Sequence, residues 1–361
     1  MTLYDKLKSR IADEGPIAVS DYMEAALADP EFGYYRGRDP LGRGGDFTTA
    51  PEISQMFGEV IGLWSAVLWD QMGRPEQINF VEIGPGRGTL MHDMVRAAST
   101  LPGFKESLSI HLVETSPVLK ERQESALSHL DQSVVWHETI NTLPDGPLII
   151  VANEFFDALP IRQFIRLGKY WYERLVDLGD DALCFTNTTI PAPPADLGNK
   201  VHLPEKSGDI AETCPAGETI CNDLAARIVR FGGGALIIDY GYSEPALGNS
   251  LQAVKGHAYH PALETPGEAD LTAHVDFDAL AQAARRAGAK TCGTLTQGAF
   301  LRRLGIEARA QILSRTASDE QRDDISSALK RLIGENEMGT LFKVLALAHP
   351  AQPTPPGFDE Q

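Results

Sequence analysis

The chain has 361 residues, with 32 Lys and Arg against 50 Asp and Glu, so its formal net charge is −18. Hydrophobic residues make up 43% and charged residues 23%, a globular composition with ample chain for a sizeable core. The basic residues are scattered singly or in pairs, which argues against a nucleic-acid partner, since phosphate backbones call for a basic patch or stripe.

Residues 1–75 read as helical. Leu3, Leu7 and Ile11 recur at helical spacing. Ser20 is placed to cap a short helix that Asp29-Pro30 ends, and Gly33 to Gly45 reads as a loop. Thr49 and Glu52 have the spacing of a capping box, with Pro51 in the first turn. The helix that follows sets Ile53, Phe57, Val60, Trp64 and Leu68 on one face.

From about residue 76 strands and helices alternate. Strand-like runs are Ile78–Ile83, Ile110–Val113, Val134–Trp136 and Leu148–Ala152, with helical patterns at Leu90–Ala98 and Val118–Leu130 between the first three. This is the signature of βαβ units and a mainly parallel sheet with helices on both faces. Residues 161–218 break the rhythm: Ile161–Leu167 and Tyr170–Leu178 read as a hairpin, and a Pro-rich stretch follows, an expected insertion on the rim. The second half of the core is expected over 219–350, with a helix at Ile220–Phe231 and a strand at Ala235–Tyr240. A loop over 241–270, a helix at Phe277–Ala287, a strand near Thr291–Leu295, helices over 299–335 and a strand at Phe342–Ala348 complete it. The Pro-rich tail, 351–361, is expected to fray.

Cys184, Cys214, Cys221 and Cys292 show no metal-ligand spacing and read as thiols of a reducing compartment. The charged N-terminus lacks the apolar run of a signal peptide, and the uncharged stretch Ile61–Trp69 is too short to span a bilayer. The expectation is a cytoplasmic protein with no metal, no nucleic acid and no membrane insertion.

The strongest local signal is Phe80-Val-Glu-Ile-Gly-Pro-Gly-Arg-Gly-Thr-Leu90. A strand ends, glycines stand at 84, 86 and 88, and a helix begins. Glycines suit a tight turn that lets a ligand approach the backbone, and the helix start offers unpaired N–H groups. A dinucleotide fingerprint would need Gly at 89, where Thr89 stands, and no G-K-[ST] follows. The order E-x-G-x-G-x-G resembles instead the cofactor loop of class I methyltransferases, which bind S-adenosylmethionine. Glu114, ending the next strand, is placed to accept hydrogen bonds from ribose hydroxyls, or is simply a solvated strand end.

Five motifs stand in order: Gly45-Asp-Phe-Thr-Thr-Ala-Pro-Glu-Ile-Ser54, Glu82–Leu90, Ala152-Asn-Glu-Phe-Phe-Asp-Ala-Leu-Pro160, Asp239-Tyr-Gly241 and Asp270-Leu-Thr-Ala-His-Val-Asp-Phe277. Together they resemble the MidA family over nearly the whole chain. The resemblance implies a Rossmann-like, seven-stranded class I methyltransferase core, with 76–160 as its S-adenosylmethionine-binding half. It also implies protein arginine methylation, attributed in the mitochondrial branch to a subunit of respiratory complex I. The N-terminus is expected to carry no mitochondrial targeting segment, as in a bacterial relative. Methylation of a small molecule, and an assembly chaperone that binds S-adenosylmethionine without essential catalysis, remain the alternatives.

The cofactor side is expected to comprise Glu82, Gly84, Pro85, Gly86, Gly88, Thr89, Glu114 and Asn153. A guanidinium is a planar five-donor fork that stays protonated, so methylating it takes carboxylates to orient the fork and a group to accept a proton. Glu154 and Asp157 follow a strand at its carboxyl end and are the expected guanidinium ligands; Glu154 as a partner of the first loop and Asp157 as a turn residue are the plainer readings. His274 and Asp276 are the expected proton-handling pair, with Asp276 as a helix cap the plainer reading. Asp46, Phe47, Thr48 and Glu52 are expected on a lid, and Asp239 and Tyr240 on the substrate rim.

Overall fold

The computed structural model describes residues 1–36, 49–180 and 182–358. The chain divides into two compact units, each made of three chain segments. The larger holds Thr48–Phe155, Ile220–Gly241 and Ala281–Gln361; the other holds Met1–Phe47, Phe156–Thr219 and Tyr242–Leu280.

The larger unit is built on a sheet whose strands we number in chain order: β1 (Ile78–Ile83), β2 (Leu108–Val113), β3 (Val134–His137), β4 (Leu148–Asn153), β5 (Gly233–Tyr242), β6 (Lys290–Thr296) and β7 (Phe342–Ala348). Their hydrogen-bonded path runs β6-β7-β5-β4-β1-β2-β3. From β5 to β3 every neighbouring pair is parallel, and β7 alone runs against its neighbours β5 and β6. The six residues of β4 are all buried, as a strand covered on both faces must be. The helix Gln55–Gln71 packs closely on the helix Thr89–Ala98. A Cβ at Gly62 would stand 2.5 Å from the Met94 carbonyl oxygen, so only glycine allows this approach. Phe57, Trp64, Phe80, Met94, Leu236 and Phe300 belong to the apolar cluster that results.

In the other unit the helices Leu3–Glu14 and Val19–Ala28 bury Leu3, Leu7, Ile11, Tyr22 and Met23 in one cluster with Leu271. Thr2 and Asp5 form a capping box on the first helix. The expected hairpin is present as Arg162–Leu167 and Tyr170–Leu178, and the sheet is widened by Ile17–Ala18, Leu183–Asn187 and Ile210–Thr213.

Four expectations need correction. The stretch 241–270 is not all loop: Gln252–Lys255 pairs with Ala258–His260 on one side and Asp270–Thr272 on the other. Ser20 lies inside the helix Val19–Ala28, whose N-cap is Ala18. Thr49 makes no side-chain cap, and the Glu52 carboxylate accepts from Thr89 instead of closing a capping box. The tail does not fray through Phe358: Pro355 is buried, the Trp64 indole donates to the Pro356 carbonyl at 3.1 Å, and Phe358 packs on Phe300. No helix among the described residues is long and apolar enough to cross a membrane.

Candidate functional site

In the larger unit the chain leaves β1 for β2 and β3, then returns to β4 on the opposite side of β1. The strand order reverses there, and a crevice beyond the carboxyl ends of β1 and β4 is where such sheets bind ligands. Glu82, the glycine turn, Asn153 and Glu154 all lie at those ends.

Gly84, Gly86 and Gly88 have φ of 67°, 53° and 83°, a left-handed conformation at every second residue. A Cβ at Gly84 would also press to 3.0 Å from the Phe155 ring. The turn feeds the helix Thr89–Ala98, whose N-cap Gly88 has no side chain to cap it, and the Met91 N–H of its first turn donates to the Glu82 carboxyl. Glu82 is 2% exposed, and burial pushes its carboxyl well above the usual range. Its Oε2 and the Asn153 Oδ1 are buried without a hydrogen-bond partner. Two orphaned acceptors at the ends of adjacent strands fit a ligand that brings donors.

Glu114, at the end of β2, is half-buried. Its Oε1 accepts from the Ser116 N–H at 2.7 Å and its Oε2 from Gln123 Nε2 at 3.0 Å. Gln123 Nε2 also donates to the Gly86 carbonyl at 2.7 Å, and its Oε1 accepts from the Trp136 indole at 2.9 Å. This fully buried side chain ties the glycine turn to Glu114 and was not singled out in the sequence. Its signal was available: Gln123 sits between Leu119 and Leu127, a polar residue on the buried stripe of its helix. Thr89 donates its hydroxyl to Glu52 Oε1 at 2.6 Å, and Arg87 lies 3.8 Å from Glu52 Oε2. Glu52 therefore closes on the glycine turn.

Glu154 has φ of 52°, a left-handed backbone that costs a non-glycine residue about 1–3 kcal/mol. Bonds on either side hold it there. Its N–H donates to the Ile238 carbonyl at 2.9 Å, and the next N–H, of Phe155, donates to Asp239 Oδ2 at 3.1 Å. Its Oε1 accepts from the Ala50 N–H at 2.9 Å and from Asn153 Nδ2 at 3.0 Å. Asp239 is fully buried, and its Oδ1 accepts from the Tyr240 N–H, so it fixes this turn from β5. The Tyr240 ring packs edge-on against Phe342.

Asp157, His274 and Asp276 belong to the other unit. Asp157 is buried beside Tyr35, whose hydroxyl donates to Asp270 Oδ1 at 2.9 Å. Asp276 accepts the Ala279 N–H at 3.0 Å, which caps the helix Phe277–Arg286, and pairs with Lys200. The His274 N–H donates to Ser250 Oγ at 2.9 Å. His274 and Asp276 face one recess. Asp46, Phe47 and Thr48 lie outside the described residues.

Residues 60–295 match the model of a family described as S-adenosyl-L-methionine-dependent methyltransferase. The chain is 36% identical, over 96% of its length and 86% of the relative's, to a Danio rerio protein named protein arginine methyltransferase NDUFAF7, mitochondrial. The human protein of that name is 34% identical, over 94% of this chain and 82% of its own. A Burkholderia thailandensis superfamily member, crystallised with S-adenosyl-homocysteine, is similar in structure with a TM-score of 0.84, 29% identity and coverage of 99% of this chain and 92% of that one. The expected cytoplasmic location does not stand, because these curated relatives carry a mitochondrial designation.

Proposed function

We propose that this chain, which belongs to the MidA family of S-adenosylmethionine-dependent methyltransferases, methylates an arginine side chain of a protein partner. Its cofactor is S-adenosylmethionine, which when bound supplies an electrophilic methyl group on a sulfonium. The observation that carries the arginine reading is the 36% identity across nearly the whole chain to a relative named for that activity. The family resemblance extends the proposal to a subunit of respiratory complex I as the partner.

The chain's own residues fit the cofactor. The left-handed glycines keep Cβ atoms out of the crevice, Glu114 stands at the end of the next strand as a carboxylate acceptor for ribose hydroxyls, and the orphaned Glu82 and Asn153 oxygens can accept from an ammonium. Acidic groups suit a cofactor that carries positive charge and no phosphate.

In this reading Glu154 and Asp157 orient the guanidinium. Glu154 Oε1 accepts from Ala50 and Asn153, which fixes its carboxylate at the carboxyl end of β4. Holding the nucleophile in line is the main task in methyl transfer, and the pinned backbone at Glu154 supports such positioning. His274 and Asp276 are the proposed proton-handling pair. Asp46, Phe47, Thr48 and Glu52 are proposed as lid, with Asp239 and Tyr240 on the substrate rim. The test is incubation of the purified protein with labelled S-adenosylmethionine and lysate from a strain lacking the gene. One labelled protein band is expected; label confined to small molecules would overturn the reading.

A further inference from the structure

The chain from Ala273 to Asp276 alternates in burial. Ala273 and Val275 are 2% and 6% exposed, while His274 and Asp276 are half-buried. A period of two sets those last two side chains on one side of an extended chain, and both face one recess. What they can do depends on how this stretch is held, and its N–H groups show what holds it. The Ala273 N–H donates to the Asp157 carbonyl at 2.9 Å, and the His274 N–H donates to Ser250 Oγ at 2.9 Å. At the far end Asp276 pairs with Lys200. The backbone of His274 itself is therefore tied to the side chain of Ser250.

That tie has a direction. A hydroxyl carries one hydrogen, and that of Ser250 goes to Glu212 Oε2, which leaves its oxygen to accept from His274. Glu212 is 6% exposed, and N–H donors fix its other oxygen. Oε1 accepts from Gln163 Nε2 at 2.7 Å, from the Ser250 N–H at 3.0 Å and from the Leu251 N–H at 3.3 Å. Gln163 is fully buried and also donates to Asn249 Oδ1 at 2.8 Å, while its Oε1 accepts from Arg174 at 3.1 Å. One buried carboxylate thus organises residues 249–251, the segment that carries Ser250. Apolar side chains of like volume would hold these segments together as well, but they would not orient a hydroxyl.

We propose that Ser250, oriented by Glu212, is a positioning residue for methyl transfer. It holds the backbone of His274 so that the imidazole takes the proton a nucleophilic nitrogen loses as its bond to the methyl group forms. The assignment rests on the reading of His274 as a proton-handling residue. The test uses the full chain and saturating labelled S-adenosylmethionine. It reads the initial rate of label transfer into all products of a lysate from a strain lacking the gene. Ser250→Ala is expected to lower the rate about tenfold to a hundredfold, as a misplaced reacting group does. Ser250→Thr keeps the hydroxyl and should stay within about threefold of wild type. Glu212→Gln sets an amide donor against Ser250 Oγ and should lower the rate about threefold to tenfold. Affinity for S-adenosyl-homocysteine should stay within about twofold in all three, since the residues assigned to the cofactor belong to the other unit. His274→Gln should itself slow transfer about a hundredfold, and adding Ser250→Ala to it should cost nothing more, because a group that acts only through His274 has nothing left to position. Glu212→Gln in both backgrounds gives the same reading should Ser250→Ala unfold. An equal fractional loss in both backgrounds, the mark of a merely structural residue, or a wild-type rate in Ser250→Ala would overturn the assignment. A wild-type rate in His274→Gln would sink the proton-handling reading and the assignment with it. Label only in small molecules, with the same pattern among the variants, would end the protein-arginine reading and support the assignment.

Discussion

The two units hold themselves together differently. In the larger, β1, β4 and β5 are apolar along nearly their whole length and sink into a cluster with Phe57, Trp64 and Phe300. In the other, shorter strands surround buried polar pairs, Lys200 with Asp276 and Gln163 with Glu212, beside a half-buried cluster of Arg162 with Glu173 and Asp196. Burial of apolar surface is non-directional, so it stabilises a regular sheet and leaves strand ends to be shaped by glycines and a few polar ties. Buried charges need partners at fixed distances, so they also fix the geometry of the recess.

Breaking one partner of a buried pair should therefore do most harm in the smaller unit. Lys200→Met leaves Asp276 buried and unpaired and is expected to cost about 3–5 kcal/mol, read by urea unfolding of that unit. Lys200→Met with Asp276→Leu should recover most of the loss; a double variant as unstable as the single would show that the pair is not the cause. In the larger unit the matching damage is a cavity. Leu236→Ala, at a fully buried site in β5, should cost about 2–5 kcal/mol, while the equally buried Gln123→Leu should cost less there.

Gln123→Leu sharpens the comparison from the other side. It removes the ties to Gly86 and Glu114 and should weaken S-adenosyl-homocysteine about tenfold by calorimetry. Glu114→Ala should weaken it about tenfold to a hundredfold. Unchanged affinity in both variants would mean that the strand end does not hold the cofactor.

The smallest effect expected near neutral pH comes from His111. It is 4% exposed, its Nδ1 lies 3.0 Å from His137 Nε2, and burial with His137 nearby lowers its pKa from 6.5 to about 4. The unfolded chain therefore binds a proton that the folded chain refuses. Stability is fully present above about pH 6.5 and is lost as pH falls toward about 4. At pH 6 the loss is on the order of 1 kcal/mol. His111→Gln should flatten this part of the curve; an unchanged slope would place the acid sensitivity elsewhere.

Legibility in the sequence follows the same division. The strands at Ile78–Ile83 and Phe342–Ala348 match their expected bounds residue for residue, because a strand buried on both faces is mostly apolar and only Asn79, Glu82 and Lys343 interrupt these two. The strands within 241–270 are three or four residues long and half polar, and their pairing depends on partners rather than on a pattern of their own. The Thr49–Glu52 motif is local in form, but Thr89 and Arg87 compete for Glu52 and win through tertiary contact. The tail reads as frayed from its prolines, yet Trp64 and Phe300 supply docking partners that no local window contains. At the site, the glycine turn was legible because left-handed backbone demands glycine. The left-handed Glu154 was not, since the bonds that hold it come from Ile238 and Asp239, more than eighty residues away in sequence.

The most direct test is mass spectrometry of protein labelled by the wild-type enzyme and by Glu154→Gln. Methylated arginine at a defined site of one partner protein is expected from the wild type, with little or none from the variant. Methyl groups on another residue type, or only on small molecules, would contradict arginine methylation as the activity.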